Sequence, residues 1–138
     1  MCEVINPAFF QFIKEQGKFY QILSNPNKRF GRFAENCLHG SCFKNSLDAT
    51  IKYSDLEYCQ GFSLINNLPV RHAFNIVKEN EEDRVLDLTA IKFNISIKDY
   101  FGITIPKDLL RKFDKEPEEF FGDCLAKYHK YSLEKKFF

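Results

Sequence analysis

Apolar and polar positions recur with two different periods along this chain, and the changes of period divide it into elements. Over residues 7–23, Phe9, Phe12, Ile13, Phe19, Tyr20 and Leu23 fall at helical spacings. This predicts an amphipathic helix that Pro7 can open and that Gly17 weakens in the middle. Ser24-Asn25-Pro26-Asn27 is a stop signal. Phe43, Leu47 and Ile51 then stand at i, i+4 and i+8 and predict a second helix with those three on its buried face. Gly40 gives this helix a flexible approach, and the Ser41 hydroxyl is placed to cap its first turn. Past a polar break at residues 53–55 the period falls to two. Residues 56–65 predict a strand with Tyr58, Phe62 and Leu64 on one face and Cys59, Gly61 and Ser63 on the other. A turn at residues 66–69 leads to a strand over 70–77, with Val70, His72, Phe74 and Ile76 on one face. A charged loop at 78–81 leads to a strand over 82–89, with Val85, Asp87 and Thr89 on one face. Residues 91–97 alternate and predict a fourth strand, followed by an extended or turn segment at 100–105. Pro106 begins a short helix to Phe113. Pro117 opens a terminal helix to about Lys135, with Phe120, Phe121, Leu125, Tyr128 and Leu133 as its buried positions.

The register of the last hairpin follows from its loop. If residues 78–81 form the loop, Val77 pairs with Glu82, so Phe74 lies opposite Val85 and His72 opposite Asp87. Directly opposed side chains share a face, with Cβ atoms about 4.5–5.5 Å apart. The pattern alone therefore sets an imidazole beside a carboxylate. The dependence on register is strong, because a slip of one residue would turn the two to opposite faces.

Composition narrows the function classes. The chain has 138 residues, 44% hydrophobic and 28% charged, with sixteen Phe, six Tyr and no Trp. That is the size and balance of a single domain spanning residues 1–138. A net charge of +1 sets up no field for nucleic acid or an anionic membrane surface. The one basic stretch, Lys28-Arg29-Phe30-Gly31-Arg32-Phe33, reads as a solvated charged face over an apolar one. No apolar run is long enough for a membrane span, and no signal-peptide core opens the chain. Five scattered cysteines without a scaffold spacing fit reduced thiols in a cytoplasmic setting.

The candidate chemistry centres on Cys42. At a helix N-terminus the dipole favours thiolate over thiol. Cys37, His39 and Cys42 offer soft metal ligands, with Cys59 as a fourth only if the fold brings it near. Their spacing is not that of a structural zinc site and a second ligand pair is missing, so no metal or other cofactor is expected. No calcium-loop pattern is present either. Cys59, inside a strand, lacks a helix dipole and ranks below Cys42 as a nucleophile. The constellation Cys42, His72 and Asp87 supplies a thiolate nucleophile, a base that takes and returns its proton, and a carboxylate that fixes the base. Asp87 lies inside Val85-Leu86-Asp87-Leu88, and an acid in so apolar a segment requires a partner.

These pieces resemble the transglutaminase-like members of the papain-like cysteine enzyme superfamily. The shared pattern is Gly40-Ser41-Cys42 opening a helix, then Tyr58-Cys59-Gln60-Gly61-Phe62, His72-Ala73-Phe74 and Asp87-Leu88-Thr89, in that order. It covers residues 40 to 89, slightly over a third of the chain. Phe74 stands where the family usually has Trp, and Leu88 where it often has Pro. The resemblance implies a minimal α+β core, with a Cys-bearing helix on a small antiparallel sheet between N-terminal and C-terminal helices. It also implies a triad of Cys42, His72 and Asp87. The Cys42 backbone N–H is the expected first oxyanion donor, and Gln60 and Asn36 are open candidates for the second. The expected activity is thiol-dependent acyl transfer on a protein or peptide carbonyl, as a protease, amidase, deamidase or transglutaminase. The alternative is a non-catalytic module that binds a peptide on the same fold. Oligomeric state is not legible.

Overall fold

The chain order is α1 (Pro7–Gln16), β1 (Lys18–Ile22), α2 (Lys28–Glu35), α3 (Cys42–Lys52), β2 (Glu57–Ile65), β3 (Leu68–Glu79), β4 (Glu82–Leu86), α4 (Leu88–Phe93), β5 (Ile97–Ile105), α5 (Lys107–Asp114) and α6 (Cys124–Lys136). The structure, a computed structural model, describes residues 7–24, 26, 28–114 and 124–136. The strands close into a barrel in the order β1-β4-β3-β2-β5. Every neighbouring pair is antiparallel except β1 with β4. This is the α+β class expected from the pattern, with helices packed outside a small sheet.

Alternation decides what fills the barrel. Cys59 pairs with Phe74, and Ile76 with Val85, so these four share the inner face, where they pack with Tyr20 and Tyr100. The opposite parity, Tyr58, Ala73, Ile103 and Ile105, faces outward into a second core with Ile13, Leu47, Leu110 and Leu125. On β2 and β5, Gly61 is paired with Gly102. A β-carbon on Gly61 would lie 2.1 Å from the Phe101 carbonyl oxygen, so glycine lets the strands approach there.

Several expectations are corrected. The predicted helix over 7–23 ends at Gln16, where the Gly17 amide donates to the Ile13 carbonyl at 2.8 Å. A β-carbon on Gly17 would meet that carbonyl and the Phe101 ring at 2.6 Å. Beyond it, Phe19 and Tyr20 pair with Phe101 and Tyr100 as strand, in keeping with the preference of aromatic residues for a pleated surface. Phe19 is 73% exposed instead of buried. The charged loop at 78–81 shrinks to a two-residue turn, Asn80-Glu81, both at positive φ, the geometry that matches strand twist. Glu79 thus pairs with Glu82 and Ile76 with Val85, a slip of two positions from the register read off the sequence. The turn before β3 contracts likewise to Asn66-Asn67, and Leu68 and Pro69 join the strand. The strand expected over 82–89 stops at Leu86. Residues 88–93 are helix, not the start of a fourth strand, because the Asp87 side chain caps them. The segment at 100–105 belongs to β5, the strand that closes the barrel.

The helix α3 is turned relative to the predicted face. Asn45, Ser46, Leu47, Ala49 and Thr50 are buried, whereas Ile51 is 59% exposed and Phe43 only packs at the edge of the core. The cause is Asn75 on β3. Its Nδ2 donates to the Ser46 carbonyl at 3.0 Å, the Thr50 hydroxyl at 2.8 Å and the Glu57 carbonyl at 3.1 Å. Small residues on α3 allow the close approach those bonds need. The Ser41 hydroxyl makes no capping bond; its carbonyl accepts from the Asn45 amide at 2.8 Å instead. On α2, Phe30 and Ala34 are buried under the exposed Lys28, Arg29 and Arg32, as read. At the C-terminus, Leu125 is buried and Tyr128 meets Phe12 edge-on, but Leu133 is exposed. Pro117, Phe120 and Phe121 lie outside the described residues. No helix among the described residues is long and apolar enough to cross a membrane.

The rotation has a measurable consequence. Asn75→Ala leaves buried acceptors on α3 and β2 short of a donor and is expected to cost about 1–3 kcal/mol. Ile51→Ser on the exposed face should stay within about 0.5 kcal/mol of wild type. Urea unfolding of both variants checks this, and equal losses would contradict the observed face.

Candidate active site

Asp87 ends β4 and begins α4, and that double position fixes its carboxylate. Oδ1 accepts the Ala90 amide at 3.1 Å, an N-cap bond for the helix. Oδ2 accepts from His72 Nε2 at 2.6 Å and from the Tyr100 hydroxyl at 2.9 Å. All three residues that bring side chains are within 3–5% of full burial. The slip of two positions is why the contact survives the wrong register. It leaves His72 and Asp87 on the same face as diagonal neighbours, a separation a long side chain can span.

Cys42 is the first residue of α3 and is partly exposed. The His72 ring and the Ala73 backbone amide lie near enough to act on its thiol. With Nε2 taken by Asp87, the ring nitrogen left for the thiol is Nδ1. Burial on its own would raise the Cys42 value, but the hydrogen bond and charge of His72, joined by the Ala73 amide, bring it below the ordinary thiol value. Burial likewise works against a charged His72; the bonds to Asp87 and Cys42 and their charges outweigh it and lift the imidazole to about 9. Each partner thus favours the charged form of the other, which is a thiolate–imidazolium pair.

The loop before α3 is tied down by a residue the sequence did not single out. Asn45 accepts from the Leu38 amide at 3.2 Å, and its Nδ2 donates to the Leu38 carbonyl at 2.9 Å and to the Thr89 hydroxyl at 3.0 Å. Thr89 sits in the first turn of α4, so Asn45 couples the Cys42 end of α3 to the Asp87 end of α4. A buried Asn three residues into a helix was the available signal. Tyr100 carries no such signal, because the pattern over 100–105 does not assign its segment a face.

The structure brings Cys42, His72 and Asp87 together and gives the remaining candidates other partners. Gln60 is fully buried, and its Oε1 accepts from the Tyr58 hydroxyl at 2.9 Å and the Leu125 amide at 3.3 Å. Asn36 is exposed at the end of α2, donating to the Arg32 carbonyl at 3.4 Å. Cys59 lies in the barrel interior, where burial pushes its thiol well above the ordinary value. Cys37 is pushed up to about 11, chiefly by burial. His39 is exposed and packs edge-on against Phe93. Among the described residues no group of three or more His, Cys, Asp or Glu is placed to hold a metal ion. No protein-family model, curated protein or solved structure matches the chain.

The Asp87 carboxylate is the first element to probe. In Asp87→Asn the amide oxygen can still cap α4, since Asn caps about as well as Asp, but a neutral group faces His72. The His72 titration midpoint, followed by NMR of the ring, should fall by more than one pH unit from about 9. A midpoint unchanged in a folded variant would show that Asp87 does not govern the ring.

Proposed function

We propose that the chain is a thiol-dependent acyl-transfer enzyme in which Cys42 is the nucleophile, His72 the acid and base, and Asp87 the carboxylate that orients His72. The observation that carries this reading is the buried 2.6 Å contact of His72 with Asp87, beside a partly exposed thiol at the start of α3 whose ionisation His72 favours. A structural histidine bound to an acid needs no thiol on its second nitrogen. A structural cysteine would share the raised values of Cys37 and Cys59.

In this reading the Cys42 thiolate attacks the carbonyl carbon of a carboxamide or peptide bond, and the C=O pair moves onto oxygen. The C–N bond then breaks, and the leaving amine takes its proton from His72 Nδ1. A thioester remains. Water or a second amine attacks it, giving its proton to His72, and the C–S bond breaks to restore the thiolate. Asp87 keeps Nε2–H directed toward itself throughout and stabilises the imidazolium. The Cys42 backbone N–H, which as a first-turn donor has no partner within the helix, is the proposed oxyanion donor. Gln60 is the proposed second donor. It is paired on the neighbouring strand with Ala73, whose backbone amide acts on the Cys42 thiol. Asn36, exposed just after α2, is set aside. The substrate class is a protein or peptide carbonyl.

Alkylation separates this reading from a non-catalytic peptide-binding module. Iodoacetamide at neutral pH should modify Cys42 more than about tenfold faster than Cys37 or Cys59. The rate should rise with pH through an inflection below the free-thiol value of about 8.5, and His72→Ala should move that inflection upward. Turnover requires the imidazolium to protonate the leaving group, so it should fall again as His72 loses its proton near pH 9. Equal slow labelling of these cysteines, with overlapping wild-type and His72→Ala curves, would remove the enzyme reading and leave the binding module.

A further inference from the structure

Three donors converge on Asp87, and one of them has no part in the triad chemistry. Tyr100 comes from β5, the strand between β2 and β1 in the barrel, and is 3% exposed. Its ring packs edge-on against Phe74, centroids 5.0 Å apart, and lies 6.3 Å from the His72 ring. A ring in that position fills the barrel equally well without its oxygen. Yet the hydroxyl is aimed at Oδ2, the carboxylate oxygen that also receives His72 Nε2.

We propose that Tyr100 is a positioning residue of the site: its hydroxyl clamps the Asp87 carboxylate in the plane that presents Oδ2 to His72 and tempers the pull of that carboxylate on the imidazolium. This inference rests on the acyl-transfer reading of the same site. The geometry leaves the carboxylate no free rotation, since Oδ1 is fixed by the Ala90 amide and Oδ2 by two donors. Tyr100 can serve only as donor, because burial first, and then Asp87, hold its phenol protonated far above neutrality. A carboxylate that shares its charge with a phenol holds imidazolium less tightly. The balance matters to an acid that must release its proton to a leaving amine on every turnover. The other titratable groups facing Asp87 are His72 on β3, Cys42 on α3 and Cys37 after α2, and Cys37 titrates too high to interfere near neutrality.

The test is Tyr100→Phe in the full chain, with the His72 midpoint read by NMR of its ring nitrogens. The expected result is a folded protein whose midpoint rises by at least about 0.5 unit, a threefold gain in proton affinity. The acid limb of Cys42 alkylation should move downward with it. A midpoint unchanged within about 0.1 unit would reduce Tyr100 to a space-filling ring, and a lowered one would overturn its tempering of the carboxylate. Should Tyr100→Phe fail to fold, 3-fluorotyrosine at position 100 provides a stronger donor of nearly the same shape. It should lower the midpoint, and no movement would again overturn the proposal. Slow alkylation of wild-type Cys42 would defeat the acyl-transfer reading itself, whereas the His72 midpoint decides the role of Tyr100 independently.

Discussion

The rest of the structure depends on one buried carboxylate. Asp87 is 3% exposed, and a charge removed from water is tolerated only when its lone pairs are met. The donors come from three separate elements: His72 from β3, Tyr100 from β5, and the Ala90 amide from the first turn of α4. Each reaches Asp87 only if its element is in place. Tyr100 requires the barrel to close through β5, His72 requires the tight turn at Asn80-Glu81, and the Ala90 amide requires the chain to leave the sheet and coil at once. The arrangement is therefore cooperative. Displacing any one element strands a charge, so the carboxylate acts against alternative packings as much as for the native one.

Cys42 is held by a second set of buried polar bonds that begins at Asn45. From Cys42 it is one helical turn to Asn45, from there a 3.0 Å bond to Thr89, and from Thr89 two residues back to Asp87. Asn75 fixes the same helix further along. The two ends of the candidate triad are thus connected twice, once through His72 and once through Asn45. This has a chemical effect as well as a geometric one. A thiolate beside an imidazolium holds the same number of protons as a thiol beside a neutral imidazole. The charged pair can therefore form in the folded state without net proton exchange with solvent over the range where both would otherwise titrate.

What the sequence made legible was whatever depended on face rather than on length. The parity of β2 and β3, the basic-over-apolar layout of α2, the start of α3 at Cys42 and the short helix after Pro106 all follow from local pattern, and the structure has them. The errors lie where tertiary contacts outweigh that pattern. Residues 18–22 carry apolar side chains at spacings that fit helix or strand, and the choice falls to strand because β4 and β5 offer open edges to pair with. In α3 the most apolar residues are not the most buried ones. A buried Asn75 selects the small polar face of Ser46 and Thr50, and nothing in the spacing of Phe43, Leu47 and Ile51 reveals a donor on another strand. Tyr100 is invisible for the same reason, since its partner is thirteen residues away and its face is set by barrel closure.

The case of His72 and Asp87 shows which sequence inferences tolerate error. The predicted loop is two residues too long, yet the contact holds, because both of those residues, 78 and 79, join β3 and the register moves by an even number of positions. An even slip exchanges a directly opposed pair for a diagonal one on the same face, whereas an odd slip would have put imidazole and carboxylate on opposite sides of the sheet. A prediction of shared face is thus more durable than one of direct pairing. It also explains why Asp87 sits where the strand ends. A diagonal partner must lean along the strand to meet His72, and a mid-strand acid, hemmed in by its own ladder, has little room to do so. Asp87 gains that freedom by ending β4, and loses it again to the Ala90 amide and the Tyr100 hydroxyl, which leave its carboxylate one direction to face.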